Sequence, residues 1–203
     1  GFVDSHTHLI CGPPRLTDYE MRIAGANYDE IAAVGGGILW TVRAVRDMPI
    51  RKLEHQARHA IAGFLRHGVT TIEVKSGYGL DDATERKMLR VVQGLDAKPV
   101  RLVPTYLGAH VVPPEWEGRA GDYISWMCTS MLPSLRRRRL AEFVDVYCSP
   151  NAFSVEQARR YLLAAREQGY KLKIHAEQFE HNGSAQLAVE LEAVSADHLD
   201  YVN

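Results

Sequence analysis

From about residue 51 onward, helix-like and strand-like segments alternate to the end of this 203-residue chain, and that alternation restricts its fold more than any other feature. A strand that returns through a helix re-enters the sheet from the same end, so successive strands run parallel. Residues 51–67 carry Leu53, Ala57, Ala60, Ile61, Phe64 and Leu65 on one helical face, and Gly68 ends the segment. The β-branched run Val69–Lys75 reads as a strand closed by Ser76-Gly77-Tyr78-Gly79. A helix over 82–94, a strand over 100–107, a helix near 122–132 and a strand over 143–148 follow. Ser154 with Gln157 forms a capping box ahead of Val155, Ala158, Leu162 and Ala165, and that helix runs to Gly169. Lys171–Ala176 is the next strand, 184–192 a helix and 193–198 a last strand. With the opening segment as strand one there are six strands. A closed barrel and an open doubly wound sheet both fit that count.

Composition narrows the setting. At 46% hydrophobic and 24% charged residues the chain is that of a single globular domain. A formal net charge of -1 provides no general attraction to nucleic acid or to an anionic membrane. The run Arg136-Arg137-Arg138-Arg139 falls at a helix end, where cations suit the dipole, and reads as a solvated terminus. Apolar runs break off well before the roughly 18 residues of a membrane span. Cys11, Cys128 and Cys148 are far apart and form no CxxC, which favours buried thiols in a reducing cytoplasm over disulfides. No signal peptide is visible, and with Gly1 rather than Met the native start is expected to be missing.

In parallel α/β folds, functional side chains gather at the carboxyl ends of strands. Histidines collect there: His6 and His8 end strand one, His110 follows strand three, His175 falls near the end of strand five and His198 near the end of strand six. Val3, Ser5 and Thr7 alternate with Asp4, His6 and His8, so on a strand both imidazoles point one way, toward a zinc- or iron-type site. A lone His-x-His fits a chance pair equally well, but four strand ends bearing histidine do not. Arg15, after Gly12-Pro13-Pro14, offers a planar fork for a carboxylate or phosphate, or is an ordinary surface arginine. Gly35-Gly36-Gly37 lies in no phosphate-binding fingerprint and reads as a loop near the site. Trp40, Trp116 and Trp126 show no pattern that favours ligand stacking over packing.

The segment from Phe2 to His8 resembles the strand-one signature of the amidohydrolase superfamily. Within it the chain is similar from end to end to the imidazolonepropionase family. The residues that carry the resemblance are Glu20-Met21-Arg22, Ala26-Asn27-Tyr28, Gly35-Gly36-Gly37-Ile38, the run from Glu73 to Leu80 and the run from Gly108 to Glu115. The runs from Lys171 to Glu177 and from Ser195 to Leu199 complete it. The resemblance implies a (β/α)8 TIM-type barrel of the metal-dependent hydrolase kind, of which this chain holds strands 1 to 6. It implies one divalent metal, zinc or iron, on His6, His8 and His175. Arg15 would clamp a propionate, Tyr78 and His110 would hold the substrate with Tyr28 nearby, and His198 would orient and deprotonate the attacking water. The implied reaction is hydrolysis of the cyclic amide of 4-imidazolone-5-propanoate to N-formimino-L-glutamate in a cytoplasmic homodimer.

Two departures matter. Gln178 stands where some members carry glutamate; it can bind substrate but cannot shuttle a proton by ionising, so the proton is expected to pass through His198 or water. Glu177, its neighbour on the strand, should face away. The chain also ends at Asn203, before strands seven and eight and a metal-binding aspartate, and lacks the β-sandwich segments that flank the family barrel. It is therefore expected to be an excerpt, inactive alone. Two other readings stay open, a non-catalytic metal-binding relic and another amidohydrolase such as a nucleobase deaminase, although the KSGYGL run argues against the second.

Overall fold

The computed structural model describes residues 1–96 and 99–203, with the side chains of residues 28 and 29 left out. Six strands form one parallel sheet whose spatial order follows the chain: β1 (Phe2–Asp4), β2 (Val69–Lys75), β3 (Arg101–Ala109), β4 (Phe143–Val146), β5 (Lys171–Ala176) and β6 (Ser195–His198). Three helices, α1 (Leu16–Ile23), α2 (Tyr28–Ala33) and α3 (Gly37–Asp47), precede α4 (Ile50–Arg66), and α4 leads into β2. The later crossovers are α5 (Asp82–Leu95), α6 (Ala120–Trp126) with α7 (Leu132–Arg137), α8 (Val155–Glu167) and α9 (Ser184–Glu190).

The inner strands β2 to β5 alternate between two environments. Ile72 and Val74 of β2 face outward and join Val42, Val45, Leu53 and Met88 in one core beneath α3–α5. Val144, Val146, Leu172 and Ile174 join Ile124, Tyr161 and Leu162 in a second core beneath the later helices. The alternate positions are polar and buried: Glu73, Lys75, Thr105, Asp145, Lys173 and His175. An inner face of that kind requires the sheet to close around it. In a flat sheet β1 and β6 would lie roughly 24 Å apart, five strand spacings. Instead His6 Nδ1 lies 2.9 Å from Asp197 Oδ2 of β6, and Lys173 of β5 donates to Ser5 O at 3.2 Å. The sheet is curled into a six-stranded part of a TIM-type barrel.

Two expectations need correction. Strand one stops at Asp4, so His6 and His8 lie past it rather than on it. The ladder breaks where the His6 N–H turns to the Asp4 side chain at 3.2 Å, yet the chain stays beside β2 because the Lys75 N–H donates to Thr7 O at 3.0 Å. The helix expected near 122–132 instead spans 120–137, passing from α6 through a π turn at Met127–Met131 into α7. Pro133 has no N–H to donate, and the turn absorbs the interrupted ladder. The capping box at Ser154 is present as expected.

Candidate active site

The strand ends bring His6, His8 and His175 together, one nitrogen from each lying within 4.8 Å of the others. His8 Nε2 and His175 Nε2 are 3.5 Å apart, close to the roughly 3.3 Å expected for two nitrogens on one tetrahedral zinc. The far nitrogens support the same reading. His175 Nδ1–H donates to Asp145 Oδ1 at 3.1 Å, and His6 Nδ1 meets Asp197 Oδ2 at 2.9 Å. A carboxylate on the far nitrogen fixes the tautomer and leaves Nε2 with a free lone pair, the arrangement of histidines that bind metal. Burial, and then the neighbouring histidines, hold His8 well below the usual imidazole range, so it presents a neutral ring. This donor set fits a divalent cation.

The acids beneath are firmly ionised. Burial opposes ionisation of Asp145, but His175 and Lys75 outweigh it and hold its carboxyl well below the usual range. Asp197, likewise penalised by burial, is drawn down to about 2 by its hydrogen bond with His6 and by Lys173 and Lys75.

A cavity of about 160 Å³ opens over the histidines, lined by His8, Tyr78, His110, His175, Gln178 and His198 among others. Tyr78 is carried by the loop after β2, which Glu85 of α5 grips from below. Its buried carboxylate accepts N–H bonds from Gly77 at 3.1 Å, Gly79 at 2.8 Å and Leu80 at 2.9 Å. Gly77 adopts φ +104°, and a Cβ there would stand 2.7 Å from Leu107 O, so the turn requires glycine. His110 Nδ1 lies 2.8 Å from Gly77 O. A carbonyl only accepts, so Nδ1 carries the proton and Nε2 is the acceptor. Burial, then the nearby His175, lowers the His110 pKa to about 3.

His198 adopts φ +79° at the end of β6, and its ring lies 5.3 Å from that of His6 and 5.2 Å from that of His175. Partial burial, then His175 and His6, lowers its pKa. Glu177, at φ +50°, is buried away from the cavity, where it accepts from Gly183 N–H at 3.0 Å. Gln178 therefore faces the pocket and Glu177 does not, but strand alternation is not the reason: β5 ends at Ala176, and the left-handed turn at Glu177 takes its side chain off the face that His175 shares.

Arg15 stands apart. It pairs with Asp18 at 3.2 Å at the start of α1 and lines a different cavity, with Gly35, Gly36 and Trp40. Asp18 also accepts the Gly37 N–H at 2.9 Å, so the glycine run serves to anchor α1. The Tyr28 side chain lies outside the described residues. Sequence reasoning missed Arg22, Ile38, Tyr147 and Phe179 on the pocket wall. Tyr147 had a signal, since it sits two residues past Asp145 and so shares its face.

No protein-family model matches the chain. Its full length is 46% identical to an imidazolonepropionase from Hahella chejuensis, 51% of which it covers. It is 47% identical to imidazolonepropionases from Pseudomonas aeruginosa and Paraburkholderia phymatum, again over its full length and 50% of theirs. The chain thus spans about half the length of these relatives. Among solved structures, a zinc-bound amidohydrolase from Burkholderia ambifaria superposes with a TM-score of 0.55 at 17% identity, over 94% of this chain and 56% of that one. A variant of the organophosphorus hydrolase from Deinococcus radiodurans gives 0.53 at 15% identity, over 94% and 54%. At such identities the likeness concerns the fold alone.

Proposed function

Because this chain is of the imidazolonepropionase family along its whole length, we propose that it carries the metal-binding and most of the substrate-binding groups of a hydrolase that opens 4-imidazolone-5-propanoate to N-formimino-L-glutamate. One observation carries the reading: the three histidines converge beneath the same pocket that Tyr78, His110, Gln178 and His198 line.

His6, His8 and His175 would hold one divalent cation, zinc or iron, since imidazole nitrogens suit both. Such a cation supplies Lewis acidity, lowering the pKa of water from about 15.7 toward roughly 7. The remaining roles belong to this chain's own side chains. His198 takes the proton of the attacking water on its free ring nitrogen and can return it to the leaving ring nitrogen. His110, with its proton fixed on Nδ1 by Gly77 O, offers Nε2 as an acceptor to a ring N–H of the substrate. Tyr78 and Gln178 supply further hydrogen bonds from the pocket wall. A guanidinium from the α1 segment meets the propionate; Arg22 lines the pocket, and Arg15 stands two helical turns earlier.

The test is turnover of 4-imidazolone-5-propanoate by the protein at its natural length, followed as loss of imidazolone absorbance with and without a chelator. Chelator-sensitive formation of N-formimino-L-glutamate is expected. A folded, metal-loaded protein that leaves the ring intact would overturn the proposal.

A further inference from the structure

One buried ammonium lies under all three histidine arms and has no part in the chemistry above. Lys75 is fully buried inside the barrel. Its Nζ lies 2.8 Å from Glu73 Oε1, 2.7 Å from Asp145 Oδ2 and 3.7 Å from Asp197 Oδ2. Each of these carboxylates holds a different part of the centre. Asp145 binds the far nitrogen of His175, and Asp197 binds that of His6. Glu73 grips Thr7, the residue between His6 and His8: its Oε2 accepts the Thr7 N–H at 3.3 Å, and its backbone carbonyl accepts the Thr7 hydroxyl at 2.6 Å. His6 and His8 lie beyond the end of β1, so no ladder of their own strand fixes them.

We infer that Lys75 is the positioning residue of this centre: through Asp145, Asp197 and Glu73 its ammonium locks the three histidine arms into one arrangement that receives a divalent cation. The inference rests on the reading that these histidines hold a metal. The charges agree with it. Three carboxylates face Lys75 and Lys173, so one formal negative charge is left beneath the histidines, which suits a cation above them. Burial works against the Lys75 charge, but Asp145 and Glu73 outweigh it and raise its pKa. The arrangement also couples the arms, because a shift of any one carboxylate is felt at the other two through the same ammonium.

The experiment uses the protein at its natural length, stripped of metal and reloaded with zinc or cobalt(II). Lys75→Met is expected to weaken zinc binding about 10- to 100-fold in competition with a chromophoric chelator. It should also change the visible absorption bands of the cobalt form, which report ligand geometry. Circular dichroism establishes that the variant is folded. Should it not fold, Glu73→Gln serves, because among the described residues that side chain bonds Thr7 and Lys75 but no histidine. Glu73→Gln is expected to move the paramagnetically shifted resonance of the His175 Nδ1 proton in the cobalt protein further than Thr7→Val does, because Thr7→Val disturbs only the route through Thr7 and leaves Lys75 and Asp145 paired. Unchanged zinc affinity and cobalt bands in folded Lys75→Met, or a His175 resonance that Glu73→Gln moves no further than Thr7→Val does, overturns the inference. A wild-type protein that binds no zinc overturns the metal reading beneath it as well. Zinc bound equally by wild type and variants defeats only the role of Lys75.

Discussion

The two walls of the pocket are built differently. The strand-end wall, with His8, Tyr78, His110 and His175, stands on buried groups: Glu85 grips the loop after β2, Gly77 O fixes His110, and Asp145 fixes His175. The opposite wall comes from α1 and the start of α3. Helix α1 buries none of its side chains, and Leu16, Tyr19 and Ile23 on it are more than 60% exposed. The strand-end wall holds its groups to fixed geometry through partners that have no alternative inside the barrel. The α1 wall is held by a few polar ties, chiefly Asp18 to Arg15 and to the Gly37 N–H. Chemistry that needs fixed geometry therefore belongs to the first wall, and recognition of a charged tail to the second.

The largest expected effect breaks the first wall. Glu85→Ala removes the acceptor of three buried backbone N–H groups at Gly77, Gly79 and Leu80. Each orphaned donor costs about 1–3 kcal/mol, so a loss of roughly 3 kcal/mol or more is expected in urea unfolding. With the loop released, Tyr78 shifts and kcat/KM falls by about 100-fold. Glu85→Gln keeps one acceptor oxygen and should lose less of both. A Glu85→Ala protein as stable and active as wild type would show that the strand-end wall is not clamped at all.

That clamp also marks how far sequence reasoning reaches. The alternation of strands and helices was legible because its apolar periods are local, and so was the gathering of histidines at strand ends. The bounds of β2 and β5 and the capping box at Ser154 matched for the same reason. The charged layer under the site was written in the sequence as Glu73, Lys75, Asp145 and Lys173 inside otherwise β-branched runs, at positions facing away from the apolar core. It went unread because nothing local says which carboxylate meets which ammonium; only the curl of the sheet brings β2, β4 and β6 together. The alternation around His6 and His8 is strand-like and predicts a strand through both. The ladder ends at Asp4 for a reason that periodicity does not record, a side-chain acceptor taking the His6 N–H.

A smaller effect is expected on the α1 wall, and it sharpens the contrast. Arg22 lines the pocket but is exposed, so Arg22→Ala should raise KM roughly tenfold while leaving kcat and the melting temperature nearly unchanged, the signature of lost substrate binding. Arg15→Ala removes a half-buried ion pair with Asp18, worth under about 1 kcal/mol. Steady-state kinetics on both variants decides which guanidinium meets the propionate. If Arg15→Ala raises KM more than Arg22→Ala does, α1 turns when substrate binds, and the second wall is the moving one. If neither variant changes KM, the α1 wall takes no part in recognition and the division of labour fails.

The smallest effect is expected at Gln178 on the pocket lining. It lies two residues past the end of β5 and faces the pocket, while Glu177 before it is turned into the interior against Gly183. An amide at this position can donate and accept hydrogen bonds but cannot ionise to carry a proton. The proton taken from water must then travel by His198 or by solvent, and a carboxylate introduced at position 178 adds a route without removing one. Gln178→Glu should therefore keep kcat within a few-fold of wild type, with a modest rise in KM from the carboxylate meeting the substrate's own negative charge. Abolished turnover in a folded Gln178→Glu protein that still binds zinc would mean that the amide N–H itself is required. In that case Gln178 would hold the substrate as firmly as any group on the strand-end wall, and it would belong with Tyr78 and His110.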